Sequence, residues 1–392
     1  MKTILFCFSF NISDNRPYSV RALTIAKIYR KLGYRIVFLC IDSSLNSKKD
    51  LSKLKYCNFD CYILHFYKTR NPLKIFKASC LFKKLFSKAI DTIKFDYGTI
   101  DIFLTIMNYD LMEENCFKYS KKHKIPLIYT SSEWYQYKSF YGRFIPLKYL
   151  SAVYMRNCKL RKKNVIAISR FLRDFYEKQH CHVALLPSIV DEKDYLHSTQ
   201  IHKNTEKIRI MYAGYPGKKD VLKSFLKALC KSAPSIQEKI DFYGYGFYEK
   251  DVIKMGISQD ELRKTPCIHI CGQVSQDEIR KALSISDFSI LLRENTLNAK
   301  GGFSTKIVES MMAGVPLIAN LTGDMELYFN DSNSVILSNA SFEECEKALK
   351  KIILLSSDEL YSLKQNAYKT ALESFNYKNY LQVIQQFMEE LK

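Results

Sequence analysis

The segment from Arg293 to Ile318 gathers residue types that suit phosphate and sugar chemistry. It reads Arg-Glu-Asn-Thr-Leu-Asn-Ala-Lys-Gly-Gly-Phe-Ser-Thr-Lys-Ile-Val-Glu-Ser-Met-Met-Ala-Gly-Val-Pro-Leu-Ile and follows the apolar run Phe288–Leu292. A helical pattern opens near Ser304, framed by Gly302, Phe303, Thr305 and Lys306. The first turn of a helix carries N–H groups without partners and the positive end of its dipole, which together bind phosphate. Gly301 and Gly302 let the backbone come close to a ligand. Ser304 can cap the helix or donate to a phosphate oxygen. Glu309 lies about one and a half turns in, where its carboxylate can accept two hydrogen bonds from a ribose diol. Gly314 ends the helix and Pro316 starts the next strand. By local chemistry alone, the string also reads as a capped amphipathic helix and no more.

These residues must be held by something, and the pattern on either side says what. Short apolar runs alternate with longer amphipathic ones. In the first half the expected strands are 3–10, 35–41, 61–66, 100–106, 127–130, 165–168 and 183–186, with helices such as 20–32, 73–90 and 113–123 between them. Strands that are apolar throughout and separated by helices indicate parallel βαβ units with both faces covered. The segment 188–207 is polar, follows Pro187 and has no apolar period, which marks a linker. Alternation restarts at 208. The expected organisation is α/β, with two Rossmann-like doubly wound domains: 1–187, the linker 188–207, 208–375, and a C-terminal helix 376–392 that can pack back on the first domain. In such sheets ligands bind beyond the carboxyl ends of the strands.

Gly-Phe-x-x-Lys-x-x-Glu-Ser-x-x-Ala-Gly-x-Pro-x-Ile, from Gly302 to Ile318, resembles the donor-binding motif of GT-B glycosyltransferases, family 4 in particular. That resemblance implies an N-terminal acceptor domain, a C-terminal nucleotide-sugar domain and a cleft. The family has two glutamates separated by seven residues; the second, which binds ribose, corresponds to Glu309. The first would fall at Gly301, so this chain departs from the pattern where the family touches the transferred sugar. Tyr212-Ala-Gly214-Tyr-Pro-Gly217-Lys218-Lys219-Asp220 resembles the family's glycine loop, whose basic residue meets the donor diphosphate; Lys219 is the first candidate, Lys218 the second. Both also read as a solvated turn. The arginine that often follows the first glycine is Tyr215 here, so Arg293 is the candidate for the missing charge, its planar guanidinium suiting a bidentate grip. Tyr243-Gly244-Tyr245-Gly246 resembles the second glycine turn, and Gly272-Gln273-Val274 the stretch beside the nucleotide base.

The first half resembles the family less specifically. The segment 11–21 stands where the acceptor loop lies, with Arg16 and Arg21 in place of the usual glycine pair. Thr130-Ser-Ser-Glu133-Trp134-Tyr135 follows a strand where the family places a His or acid beside the transferred sugar, so Glu133 is a catalytic candidate; it also reads as a helix-capping acid near a core Trp. Ile168-Ser169-Arg170-Phe171 resembles the family's end-of-strand Ser before a short helix.

Charge separates the two halves. The net charge is +20, yet residues 1–185 hold 34 Lys and Arg against 13 Asp and Glu, while the remainder holds 26 against 27. A one-sided basic domain attracts a polyanion, either membrane or nucleic acid, or simply keeps the protein soluble. The basic amphipathic helix 73–90, with Phe76, Phe82 and Phe86, and the cluster Arg156, Lys159, Arg161, Lys162 and Lys163 suit an anionic leaflet. No apolar run reaches the 18 residues or so of a spanning helix, and the start 1–10 reads as a first buried strand. Twelve cysteines are scattered; Cys267 and Cys271 flank His269, but the spacing is not that of a zinc ribbon, and buried free thiols fit better.

The combined expectation is a cytoplasmic, metal-independent glycosyltransferase, peripheral on the inner face of the plasma membrane. It needs no cofactor, only a nucleotide diphosphate sugar donor and a glycan or lipid-linked acceptor in surface polysaccharide synthesis, with retention of configuration and no nucleic-acid partner. The rivals are a nucleotide-sugar epimerase of the same fold, a glycan-binding relative without activity, and a basic nucleic-acid-binding protein, which would lack aromatic-basic interleaving.

Overall fold

In the computed structural model the described residues are all except 15–16, 43–49, 67–71, 107–110, 135–162, 196–206, 218 and 392. The chain divides into two compact units, Met1–Pro187 with Tyr380–Lys392, and Ser188–Asn379.

Among its described residues the first unit has eight strands: β1 (Thr3–Phe8), β2 (Arg35–Asp42), β3 (Leu51–Tyr56), β4 (Phe59–His65), β5 (Ile102–Ile106), β6 (Leu127–Ser131), β7 (Asn164–Ala167) and β8 (His182–Leu185). Their order across the sheet is β3-β4-β2-β1-β5-β6-β7-β8. Every pairing is parallel except the β3–β4 hairpin. β1 is buried along its whole length, as a strand covered on both faces must be. β3 was not expected from sequence: its residues Leu-Ser-Lys-Leu-Lys-Tyr are partly or fully exposed, so no apolar period marks an edge strand made by hairpin pairing. The hairpin turn is carried by Cys57 and Asn58, both at positive φ (49° and 62°), which is the backbone of a type I′ turn. The last helix, Leu381–Glu389, returns to this unit. Its Ile384 and Phe387 are buried, and His182 of β8 stacks on Phe387 at 4.5 Å between ring centroids.

Among its described residues the second unit has six parallel strands: β9 (Ile208–Ala213), β10 (Ile240–Tyr245), β11 (Ile268–Gly272), β12 (Phe288–Leu291), β13 (Leu317–Asn320) and β14 (Ser334–Leu337). The order is β11-β10-β9-β12-β13-β14. Counted within the unit this is 3-2-1-4-5-6, the Rossmann order, whose direction reverses between β9 and β12. Leu222, Phe225, Leu226 and Leu229 of the helix Leu222–Lys231 recur at helical spacing and share one core with Ile240 and Phe242 of β10. Segment 188–207 is described only to Tyr195 and at Lys207. Val190, Asp191 and Tyr195 are buried, and Val190 bridges Asn376 in parallel.

One sequence expectation changes here. Phe82 and Phe86 do not face outward: they are 0% and 3% exposed. They pack on Phe66 and Tyr119, with centroids 5.0 Å and 6.3 Å apart. The helix Pro72–Tyr97 buries Phe82 and Phe86, as a covering helix does, while its Phe95 is exposed. Its Lys83, Lys84 and Lys88 are exposed, as is Leu81. Phe76's side chain, Arg16, Tyr135 and the cluster 156–162 lie outside the described residues; Lys163 is exposed.

Candidate functional site

Three loops leave the carboxyl ends of β9, β10 and β11 and are tied to one another. Gly214 N donates to Tyr245 O at 2.8 Å, and Gly246 N donates to Gly272 O at 2.7 Å. Gln273 Nε2 closes the series onto Gly246 O at 2.8 Å. Positive φ favours glycine at Gly214 and Gly246, and the space beside each is tight. Gly214 has φ +133°, and a Cβ there would stand 2.5 Å from Lys306 Nζ. A Cβ on Gly246, at φ +92°, would stand 3.1 Å from the Gly214 backbone. Gly244 has a packing reason: its missing Cβ makes room for the Phe247 ring.

At the reversal point, between β9 and β12, sits a compact charge cluster. Asp220, 6% exposed, accepts Arg293 Nε at 2.9 Å on one oxygen and Lys306 Nζ at 2.6 Å on the other. Tyr212 OH also donates to Asp220, at 2.9 Å, and accepts from Lys306 Nζ at 3.0 Å. Lys306 lies over the Tyr212 ring, 4.3 Å from its centroid. Arg293 is fixed by its main chain too: its N donates to Asn320 Oδ1 at 2.9 Å, and its O accepts Asn320 Nδ2 at 2.8 Å. Burial alone would raise the Asp220 carboxyl, but Lys306 and Arg293 outweigh it and hold it at about 2. Burial lowers the Lys306 ammonium, against the pull of Asp220. Groups buried in this way cost desolvation and rarely add net stability. Two cations on one carboxylate at a sheet's switch point therefore point to function.

The helix expected at Ser304 is present as Thr305–Met312. Ser304 stands at its N-cap position, but its hydroxyl makes no capping bond, so the capping role is not fulfilled and the first turn keeps its amide donors. Phe303 is a core residue: it packs on Tyr328 and Phe375 with centroids 5.6 Å and 5.5 Å apart, and its carbonyl accepts Ser188 Oγ at 2.9 Å. Gly302 is extended and follows the short helix Leu297–Gly301, which ends at Gly301 without a carboxylate. Gly314, at φ +72°, ends the longer helix. Glu309 accepts Tyr195 OH at 3.1 Å. Burial raises its carboxyl, while Tyr195, Arg280 and Lys306 pull it back. Arg280 lies over the Tyr195 ring at 5.7 Å. Lys219 is exposed in the loop between Gly214 and Asp220; Lys218 lies outside the described residues.

In the first unit, Glu133 follows β6 and accepts Tyr18 OH at 3.1 Å. Trp134 beside it is buried edge-on against Phe171 and Phe175, both at 5.0 Å. Ser169 caps the helix Arg170–Glu177 by accepting Leu172 N. Arg21, offered as an acceptor-loop residue, is instead buried and spent on the backbone. It donates to Pro187 O at 2.6 Å and Leu186 O at 2.8 Å, and burial lowers its guanidinium to about 10.

The structure thus brings Gly214, Arg293, Lys306 and the start of the Thr305–Met312 helix together in the second unit. Asp220, Tyr212, Asn320, Tyr195 and Arg280 were not singled out from sequence. Asp220 had a signal, as a lone acid closing a basic loop after a strand. Tyr195 had none, since it lies in a polar stretch.

Comparison with known proteins agrees with this architecture. Residues 218–386 match the family model described as glycosyl transferase-like. No curated protein matches the sequence. Among solved structures, the sucrose-phosphate synthase of Thermosynechococcus elongatus is similar with a TM-score of 0.73 and 13% identity, over 100% of this chain and 99% of that one. HepE of Anabaena, solved with UDP and glucose, gives 0.70 and 14%, covering 100% of both chains. A glycosyltransferase from Rickettsia africae gives 0.67 and 16%, over 99% and 98%. Likeness at this identity is likeness of fold: two Rossmann-like domains of the GT-B type.

Proposed function

We propose that this GT-B chain, which carries a glycosyl transferase-like domain over residues 218–386, transfers a sugar from a nucleotide diphosphate sugar to a glycan or lipid-linked acceptor. The observation that carries this reading is the pairing of Arg293 and Lys306 on Asp220 at the switch point of the second unit. In sugar transfer the bond between the anomeric carbon and the diphosphate oxygen breaks, and negative charge grows on the leaving group. Preorganised cations and unpaired amides at a helix start stabilise such charge without moving. Arg293, Lys306, Lys219 and the Ser304–Thr305 amides supply them. Glu309 takes the ribose diol, displacing Tyr195 from its carboxylate. Gly214 and Gly302 let the backbone approach the phosphates. In the first unit we assign Glu133 to the transfer chemistry, held by Tyr18. Retention of configuration is part of the proposal, although Gly301 offers no carboxylate to the transferred sugar.

The acceptor domain is read as 1–187 and the donor domain as 208–375. A role in surface polysaccharide synthesis, at the inner face of the plasma membrane, is supported by the basic first unit and by exposed Lys83, Lys84 and Lys88 beside Leu81. Among the described residues no helix is long and apolar enough to cross a membrane.

The test is nucleoside diphosphate release from a panel of nucleotide sugars, with and without a lipid-linked acceptor. Release from one donor that the acceptor stimulates supports the reading. No release from any donor overturns it.

A further inference from the structure

We propose that Asp220 is a positioning residue for sugar transfer, setting Arg293 and Lys306 at the point where the donor's diphosphate leaves. This role rests on the assignment of the second unit to a nucleotide diphosphate sugar. Asp220 is itself fixed by backbone, as an antiparallel bridge to Arg293 and through Val221 N donating to Leu292 O at 2.7 Å. Its two oxygens are both spent, one on Arg293 Nε and the other on Lys306 Nζ and Tyr212 OH. The cations are not exhausted by this. Among the described residues neither terminal nitrogen of Arg293 has a partner. Among the same residues Lys306 Nζ bonds Asp220 and Tyr212 alone, which leaves one of its three hydrogens unspent there.

The sign of the charge makes the role specific. A carboxylate beside a diphosphate repels it, so Asp220 does not serve affinity. It neutralises one of two adjacent cations that would otherwise repel each other, and fixes the directions of both. Geometry at the transition state is what a preorganised site supplies, and it appears in turnover more than in binding. Burial lowers the Lys306 ammonium and Asp220 raises it; Tyr212, Arg293 and Glu309 are the other charged or titratable groups that act on it.

The experiment is Asp220→Asn in the full chain, measured for nucleoside diphosphate binding by calorimetry and for turnover against pH. Turnover is expected to fall about 10²-fold, as for loss of one preorganised donor. Binding should stay within about threefold of the parent or tighten, since removing an acid raises the local positive charge. The alkaline limb of the pH profile should move to lower pH, because Lys306 loses its supporting anion. Asp220→Glu keeps the charge and should recover part of the turnover. Where the Asn variant does not fold, reduced turnover with retained binding in Asp220→Glu supports the role. Near-parental turnover in a folded Asn variant overturns it. Loss of binding and turnover together, with an unshifted pH profile, also overturns it in favour of a purely structural carboxylate. A parent chain that neither binds nucleoside diphosphate nor turns over any donor removes the donor assignment itself, and this role falls with it.

Discussion

Tyr195 donates its phenolic hydrogen to Glu309 Oε1 at 3.1 Å, so the carboxylate proposed to meet ribose is already hydrogen-bonded. Burial raises the Glu309 carboxyl above the ordinary range and raises the Tyr195 phenol far above its own. A raised carboxyl favours the folded state below its unfolded pKa, and that contribution is lost as pH rises through the folded value. Ribose recognition needs the ionised form, so the two demands oppose each other. Nucleoside diphosphate affinity should therefore rise with pH across a range above the usual one for Glu, and Glu309→Gln should flatten that dependence. Affinity that falls over the same range in the parent would contradict this. Tyr195→Phe should raise the Glu309 carboxyl further and move the dependence to higher pH, read by calorimetry at several pH values.

Gly214→Ala should damage both fold and site. Its backbone is at φ +133°, and the new methyl would stand 2.5 Å from Lys306 Nζ. Strain of this kind costs roughly 1–3 kcal/mol, and Lys306 must leave its place over Tyr212. Thermal unfolding and turnover should both fall; an unchanged melting temperature with full activity would show that the loop relaxes without cost.

Loss of the cations should affect chemistry more than folding. Arg293→Ala and Lys219→Ala should each lower kcat by about 10²-fold, the usual effect of removing one preorganised donor. Arg293→Lys should not restore it, because an ammonium cannot bond Asp220 through Nε while presenting two terminal nitrogens. Single-turnover kinetics would separate the chemical step from product release. Near-normal chemistry in both alanine variants would place the diphosphate elsewhere.

Arg21→Ala is expected to act on stability alone. The buried guanidinium satisfies Pro187 O and Leu186 O. Each carbonyl left unpaired costs about 1–3 kcal/mol. Denaturant unfolding should shift accordingly, and a variant as stable as the parent would mean that water replaces the arginine.

Membrane attachment should be electrostatic. With Phe82 and Phe86 buried, the helix Pro72–Tyr97 has Lys83, Lys84 and Lys88 to offer a leaflet, and of its large hydrophobics Leu81 and Phe95 are exposed. Flotation with anionic vesicles should weaken as the Debye length falls from about 10 Å at 0.1 M to about 3 Å at 1 M salt. Charge reversal at the three lysines should abolish it, and neutral vesicles should not bind. Retention by mixed DNA and RNA but not by anionic vesicles would turn the basic half toward nucleic acid.

The parts legible in the sequence were those written as periods and punctuation. β1 and β12 are buried throughout and mostly apolar because both their faces are covered, and β9 is apolar but for Arg209, with its middle buried. The helix after Ser304 was marked by its glycines and by Gly314. What escaped was decided by tertiary pairing. β3 is polar and exists because β4 pairs with it. Phe82 and Phe86 looked free because helical spacing does not say which face meets the sheet. Arg21 was read as a loop charge and Asp220 was not singled out, because their partners lie 166 and 73 residues away, at Pro187 and Arg293. Gly244 resembled a ligand-facing glycine, while its contact is with Phe247.

The central claim is that the second unit holds the donor nucleotide around Glu309. Its most direct test is calorimetric titration of a panel of nucleoside diphosphates into the parent chain and into folded Glu309→Ala. One member of the panel should bind the parent, and the substitution should weaken that binding by roughly 1.5–3 kcal/mol, the range for a hydrogen bond to a charged group. Equal affinity in the two proteins, or no binding by the parent to any nucleotide, would contradict the account.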